Sequence, residues 1–384
     1  MLEARALAGV TRADQFPTVE AAAQYTNLKL SDNGATPLPP GLARERDVSA
    51  VNGILNWELD FWGRLRNATR AARAQMLASM EAYSLVRQTL VSDLARAYFE
   101  LLDLDLELEF SRRSLEVREE SLRLATLRVE RGVASEIDQR QAEILVKTAR
   151  ATMITLERLR EQKENQLRLL LGENPGPVDR GKGLMDQSVA VSLPVGLPSE
   201  LLLNRPDIRA AEQRVIAANA QIGVARAAFF PRIALTAQAG YESASLLNIL
   251  DGGNTTWVFG PTAALPIFNA GRLRSNLRAA EARKQASVLD YQRTVQQAFR
   301  DVADSLIGQR KLAEFRLEQE GLVESLRAAS RLSHSRYRNG VSSYLEFLDS
   351  ERQRLDAELR LAQARRDELV AAVQLYRSLG GGWQ

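Results

Sequence analysis

The chain has no cysteine among its 384 residues, which excludes disulfide staples, thiolate nucleophiles and thiolate metal ligands. It has one histidine, His334, too few for a His-rich metal site or a His-dependent triad. No stretch approaches the roughly 18 consecutive apolar residues of a membrane-crossing helix. The opening Met1-Leu2-Glu3-Ala4-Arg5 lacks the charged-then-apolar order of a signal peptide. Charge of one sign is also missing: 51 basic residues stand against 48 acidic ones, a net +3. No basic tract interleaves with aromatics, so no nucleic-acid partner is implied. No Gly-rich phosphate loop follows a strand and no nucleophile has a suitable base, so neither catalysis nor a cofactor is expected, and any energy must come from a partner protein. Taken alone, these absences read as a soluble cytoplasmic protein. What is present argues otherwise, beginning with 45% hydrophobic and 26% charged residues, the balance of an ordered chain.

A displacement of 208 residues lays the second half over the first. Gly63-Arg64-Leu65-Arg66 recurs as Gly271-Arg272-Leu273-Arg274, Gly132-Val133 as Gly340-Val341, and Leu171-Gly172 as Leu379-Gly380. Phe16-Pro17 and Phe230-Pro231 match at 214, so the first copy carries six extra residues between its Pro and its Gly. A unit duplicated over this length means the architecture is built twice. The organisation expected is a first repeat over 1–172, a linker over 173–198 and a second repeat over 199–384.

Between Gly63 and Gly132 lie 68 residues without Gly or Pro, rich in Ala, Leu, Arg and Glu. They predict one helix over 64–131, roughly 100 Å long at about 1.5 Å per residue. Leu94, Leu101, Leu108, Leu115, Leu122 and Val129 recur every seven residues, which keeps one seam against a partner in a left-handed supercoil. A second run predicts a return helix over 133–171, and the second copy repeats the pair over 272–339 and 341–379. Gly308 and Gly321 mark a bend or a close approach in the second long helix. Ser199 to Phe230 reads as a further helix. Within it Arg205-Pro206-Asp207 has a structural role, Pro206 opening the helix and Asp207 sitting at its positive end. The linker, with five Gly and four Pro over 172–198, predicts little regular structure.

Ahead of each long helix the period changes to two. Val19, Ala21, Ala23 and Tyr25 alternate with polar or small residues, as do Ile233, Leu235, Ala237, Ala239 and Tyr241. The return strands are read as Val51 to Phe61 and Thr255 to Ile267, giving strand hairpins over about 16–62 and 231–270. Four strands are too few to close, since even small barrels need about eight, and left open they present aggregation-prone edges. Oligomerisation into one barrel would remove the edges, and Trp57, Phe61, Trp62 and Trp257 would suit a membrane girdle. The alternative is that these aromatics cover a soluble sheet. The fold class expected is mostly α with a β-barrel contribution, internally duplicated.

The chain resembles the outer-membrane factor family of tripartite efflux pumps, the TolC-like channels, and specifically its NodT branch. The resemblance rests on Leu59-Asp60-Phe61-Trp62-Gly63-Arg64-Leu65, on Leu197-Pro198-Ser199 with Arg205-Pro206-Asp207-Ile208-Arg209-Ala210-Ala211-Glu212, on Ala225-Arg226-Ala227-Ala228-Phe229-Phe230-Pro231, and on Leu379-Gly380-Gly381-Gly382-Trp383. It covers essentially the whole chain. It implies a homotrimer with an outer-membrane barrel of about twelve strands and a periplasmic tunnel of helices, and hence contact with outer-membrane lipid. It also implies a passive conduit for drugs or other small molecules, handed up by a periplasmic adaptor (membrane fusion protein) and an inner-membrane pump of the resistance-nodulation-division (RND) type.

The same resemblance gives the Gly132 and Gly340 turns the place of the periplasmic tip. Glu346 and Asp349, at i and i+3 on one helix face, resemble the carboxylates that ring the tunnel entrance, where three chains would gather six, attracting cations and raising one another's proton affinity. At the same offsets the first copy has Asp138 and Gln141. Read without the resemblance, the pair is a solvated helix face. Tyr337 and Asp138 match positions that hold the tip closed, but the partnering Arg of the family is Ser342 here, so closure is expected to rest on other contacts. Gly132, Val133, Ala134 and Ser135, with Gly340, Val341, Ser342 and Ser343, resemble the grooves that receive the adaptor, and Ser135 and Ser343 are also helix N-caps. His334 reads as an exposed or seam residue.

At offset 214 Met1 corresponds to Val215, so the counterpart of Leu197 to Arg214 is missing, as are the export signal and acylated cysteine usual in this branch. The expectation is a start placed too far downstream, or a fragment. Two other readings stay open: a type I secretion channel, and a coiled-coil scaffold without a transport role.

Overall fold

The structure, a computed structural model, describes residues 1–31, 43–188 and 204–381. They fall into two units, Met1–Tyr83 with Asp207–Thr294, and Ser84–Pro206 with Val295–Gln384.

In the first unit α1 (Leu2–Ala13), the start of α2 (Arg64–Glu130) and α4 (Pro206–Ala227) accompany one antiparallel sheet. Its strands are β1 (Thr18–Lys29), β2 (Glu45–Leu59), β3 (Arg232–Ser243) and β4 (Thr255–Ala264), in spatial order β1-β2-β3-β4. The register aligns the alternation of every strand. Val19 lies opposite Leu55, Leu55 opposite Ala237, and Ala237 opposite Phe259; the next such row is Ala21, Gly53, Ala239 and Trp257. Most residues of the offset rows are polar or small, such as Thr18, Asn56, Thr236 and Gly260, with Ile54 and Val258 the exceptions in the row of Glu20 and Gln238. One face is therefore mainly apolar and the other mainly polar or small, as period-two patterning favours. Among the described residues much of the apolar face is uncovered, with Val19 73%, Trp257 80% and Phe259 61% exposed. Gly240 is obligatory, because a Cβ there would stand 2.0 Å from the Val51 carbonyl oxygen.

The strands differ from the expected bounds. β2 begins at Glu45 rather than Val51, held by pairing the alternation does not reveal: Tyr25 Oη and Asn27 Nδ2 both donate to Asp47, at 2.9 and 2.8 Å. β4 stops at Ala264, short of Ile267. The aromatics gather towards both strand ends. Trp257 lies near the β3–β4 connection, while at the helical end Trp62 stacks on Phe230 with centroids 4.7 Å apart and donates to the Pro231 carbonyl at 2.8 Å. Trp57 donates to the Gln15 carbonyl at 3.0 Å.

The second unit is a layer of four helix segments: α2, α3 (Glu136–Leu171), α5 (Arg272–Arg338) and α6 (Tyr344–Ser378). Core clusters and ion pairs set their order. Ala97 and Leu101 of α2 pack on Leu167 of α3, and Leu102 packs with Ala362 and Leu369 of α6. Val323 of α5 packs with Ala357 and Leu361 of α6. The order is thus α3, α2, α6, α5. All six heptad residues on α2 are buried or half-buried, and Leu101 is wholly so, a burial that contributes about 1.5–3 kcal/mol. Among the described residues no neighbouring atom lies within 4 Å of where a Cβ would stand at Gly308 or Gly321, so the close approach expected there is not seen among them, and α5 runs through both without a break.

The return helices start three residues later than expected, because the residues after each Gly form the turn and Ser135 and Ser343 cap the helices beyond it. The helix expected over 199–230 spans Pro206–Ala227; 199–203 lie outside the described residues, as do part of the linker and Trp383. Arg205 is buried and donates to the Ser378 carbonyl at 2.9 Å, tying off the end of α6, while Pro206 opens α4. The described part of the linker is irregular but fixed: Leu184 is buried against Leu102, and Arg180 bonds Asp105 at 2.8 Å and Glu164 at 2.5 Å.

Candidate channel entrance

The two hairpin turns share the same backbone bonds at the helix end. Gly132 N–H donates to the Val129 carbonyl at 2.9 Å and Val133 N–H to Arg128 at 2.9 Å; 208 residues on, Gly340 donates to Tyr337 at 3.1 Å and Val341 to Arg336 at 2.9 Å. This doubly bonded helix end needs a left-handed residue, and Gly132 and Gly340 have φ of 69° and 72°. Ser135 Oγ then accepts from Ile137 N–H and Ser343 Oγ from Glu346 N–H, each at 3.2 Å, starting the return helices. Val133 and Val341 stand 72% and 67% exposed on the turns, with Ala134 and Ser342 half-buried behind them. The Ser342 hydroxyl is buried without a hydrogen-bond partner.

The side chains behind the turns are not alike. Tyr337 is buried, its ring parallel to that of Phe347 at 5.7 Å and 5.4 Å from that of Tyr344. His334 is exposed yet rests 5.0 Å from Phe347. The first-copy counterparts of His334, Tyr337, Tyr344 and Phe347 are Thr126, Val129, Glu136 and Gln139, so only the second tip has an aromatic core. The first tip contributes Arg128, whose guanidinium lies 4.9 Å from the Tyr337 ring centroid and donates to its hydroxyl at 3.1 Å. The two hairpins of one chain are thereby joined at their tips. Asp138 is half-buried and makes no side-chain hydrogen bond or ion pair among the described residues, so it does not bond Tyr337 within the chain. Sequence reasoning missed Arg128; its partner lies 209 positions away.

Glu346 and Asp349 project from the first turns of α6, and each is half-exposed with an arginine beside it. Arg336 approaches Glu346 at 3.5 Å, and Arg352 donates to Asp349 at 2.8 Å. The Arg352 hydrogen bond, with Gln353, holds the Asp349 carboxyl below its usual value. Such exposed pairs contribute only about 0.2–1 kcal/mol, so both carboxylates remain available to a passing ion. Among the described residues no group of His, Asp or Glu is placed to hold a metal, and no helix is long and apolar enough to cross a membrane.

Among the described residues, an exposed apolar sheet face, two unpaired sheet edges and a layer of paired long helices are the features of an outer-membrane channel subunit. The chain belongs to the outer membrane efflux protein family, whose model matches residues 2–173 and 197–381. It is 40% identical to the solvent efflux pump outer membrane protein SrpC of Pseudomonas putida, over 99% of this chain and 80% of that protein. Among solved structures, a membrane protein from Pseudomonas aeruginosa superposes with a TM-score of 0.89 at 38% identity, covering 100% of this chain and 85% of that one. The open state of the MtrE outer membrane channel of Neisseria gonorrhoeae gives 0.88 at 33%, covering 99% and 84%.

Proposed function

We propose that three copies of this chain pool their sheets into one outer-membrane barrel and their helical hairpins into a periplasmic conduit. The conduit passes small molecules delivered by a periplasmic adaptor and an inner-membrane pump of the RND type. The observation that carries this reading is the register that gathers most of the apolar strand residues on one face of a sheet whose two edges are unpaired among the described residues. An apolar outer face and a polar inner one suit a water-filled pore in lipid, and closure on neighbouring copies removes the exposed edges.

In this reading the Gly132 and Gly340 turns lie at the periplasmic mouth. Glu346 and Asp349 face the axis there, with Arg336 and Arg352 on their flanks. Gly132 to Ser135 and Gly340 to Ser343 meet the adaptor, their small side chains permitting close helix approach. Tyr337 closes the tip with Arg128 in place of the absent arginine at 342, and Asp138 acts between copies.

The test is conductance. Trimers purified from outer membranes and placed in planar bilayers are expected to favour cations, and Glu346→Ala with Asp349→Asn should bring the cation-to-anion permeability ratio close to unity. Unchanged selectivity would remove the entrance assignment, and purification as a soluble dimer would remove the channel reading.

A further inference from the structure

Near the tip, α2, α3 and α6 line a partly open cavity of about 210 Å³. Its walls are mostly apolar, with Val117, Leu145, Leu345, Phe347 and Leu348 among them. Four charged groups also line it, Asp349, Glu351, Arg352 and, set apart by its bonding, Arg118. This guanidinium is half-buried and makes one hydrogen bond, from Nη1 to the Leu145 carbonyl at 3.1 Å. Four of its five N–H donors have no partner among the described residues, and no carboxylate there lies within ion-pair distance of it.

The neighbouring acids are already engaged. Glu351 accepts from Arg354 at 2.7 Å and from Ser330, Asp349 accepts from Arg352 and Gln353, and Asp356 has Arg352 at 3.7 Å. Burial pushes the Arg118 guanidinium below its usual value, yet an arginine stays charged in proteins. The charges of Asp356 and Glu351 act on it only from beyond ion-pair distance, and a partly desolvated cation without a direct partner is costly. The hydroxyls of Ser114 and Ser121 also border the cavity.

We propose that this cavity binds a small amphipathic organic anion, a carboxylate on a single ring, with the carboxylate on Arg118 and the ring among Val117, Leu145 and Leu348. The volume lies below the roughly 300–1,000 Å³ of sites for drug-sized ligands, which limits the occupant to about one ring. A planar carboxylate accepts two parallel bonds from guanidinium, and the two carboxylates in the lining, Asp349 and Glu351, are each already bonded to another arginine. Because α2 and α3 belong to one hairpin and α6 to the other, the bound acid would brace the two hairpins beside Asp349. The inference does not depend on what the channel carries.

Equilibrium dialysis of the purified oligomer in non-ionic detergent against radiolabelled benzoate tests it, with detergent alone as the blank. Saturable binding near one per chain is expected. Arg118→Gln should weaken it by about tenfold or more, the scale of a charge-assisted hydrogen bond. Leu348→Trp, which keeps the arginine but fills the cavity, should abolish it and covers the case in which Arg118→Gln does not assemble. Competition by benzamide or benzylamine as strong as by unlabelled benzoate would overturn the proposal, as would no saturable binding or full binding by either variant.

Discussion

In the first copy the long helix α2 is the buried one, with Leu101, Leu102 and Leu108 no more than 3% exposed, whereas in the second the long helix lies at the margin and the return helix α6 is buried. The counterparts show the reversal residue by residue. Leu369 of α6 is 2% exposed, but its equivalent on α3 is the exposed Glu161; Ala362 is 0% exposed, and its equivalent Ile154 is 66% exposed. Copies laid side by side explain this: α2 and α6 meet in the middle and have neighbours on both sides, while α3 and α5 have a neighbour on one. Duplication preserved the backbone plan and left each surface to adapt to its new position. The marginal helices keep exposed apolar residues such as Ile144 and Ile154 on α3 and Leu289 and Leu332 on α5, as expected of faces that meet other copies.

The largest test of the reversal is a pair of truncations at equivalent positions. Leu369→Ala should lose about 2–5 kcal/mol, the cost of deleting a core leucine, while Glu161→Ala should stay within about 0.5 kcal/mol. Denaturant unfolding followed by helical circular dichroism reads both, and similar losses would break the comparison.

A second contrast is electrostatic. Asp103 on α2 is 2% exposed, bonded to Arg366 at 2.6 Å through one oxygen while the other has no partner; its second-copy equivalent is the exposed Lys311. Burial first, then the Glu107 charge, push the Asp103 carboxyl up to about 7 against the opposing pull of Arg366, whose guanidinium is shared with Asp367. The folded chain therefore holds this proton more tightly than the unfolded chain. The group contributes most below its unfolded value near 4, and that contribution is lost as pH rises through about 7, a change of up to roughly 4 kcal/mol. Stability should rise when pH falls from 8 to 5, and Asp103→Asn should flatten the rise while Lys311→Gln leaves it. A wild-type slope preserved in Asp103→Asn would assign the dependence elsewhere.

What the sequence made legible was whatever repeats along the chain. The seven-residue spacing from Leu94 to Val129 marked the α2 seam, Gly132 and Gly340 marked the turns, Ser135 and Ser343 marked the caps, and strand alternation predicted the face that the register then aligned across four strands. Bounds failed where pairing across the chain decides them, as at Glu45–Ala50, where Asp47 accepts from Tyr25 and Asn27 of β1. The choice of buried helix was hidden, because α3 and α6 have similar composition and differ in what lies beside them. Arg118 and Arg128 were hidden for the same reason: each looks like one more arginine on a charged helix until the other hairpin is in place.

The smallest contrast is at the tips, between Arg128 and its equivalent Arg336. The first lies over the buried Tyr337 ring and bonds its hydroxyl, and the second makes an exposed pair with Glu346 at 3.5 Å. A partly desolvated cation–π contact with one hydrogen bond should make Arg128→Gln cost about 1–2 kcal/mol, and an exposed pair should make Arg336→Gln cost under about 0.5 kcal/mol. Thermal unfolding in detergent measures the difference, and bilayer recording adds a readout specific to the tip. If Arg128 holds the hairpins together, its loss should raise the frequency of open events and the Arg336 variant should not. Equal open probability in the two variants would make the Arg128 contact a packing detail of one chain, and closure would then rest on contacts between copies.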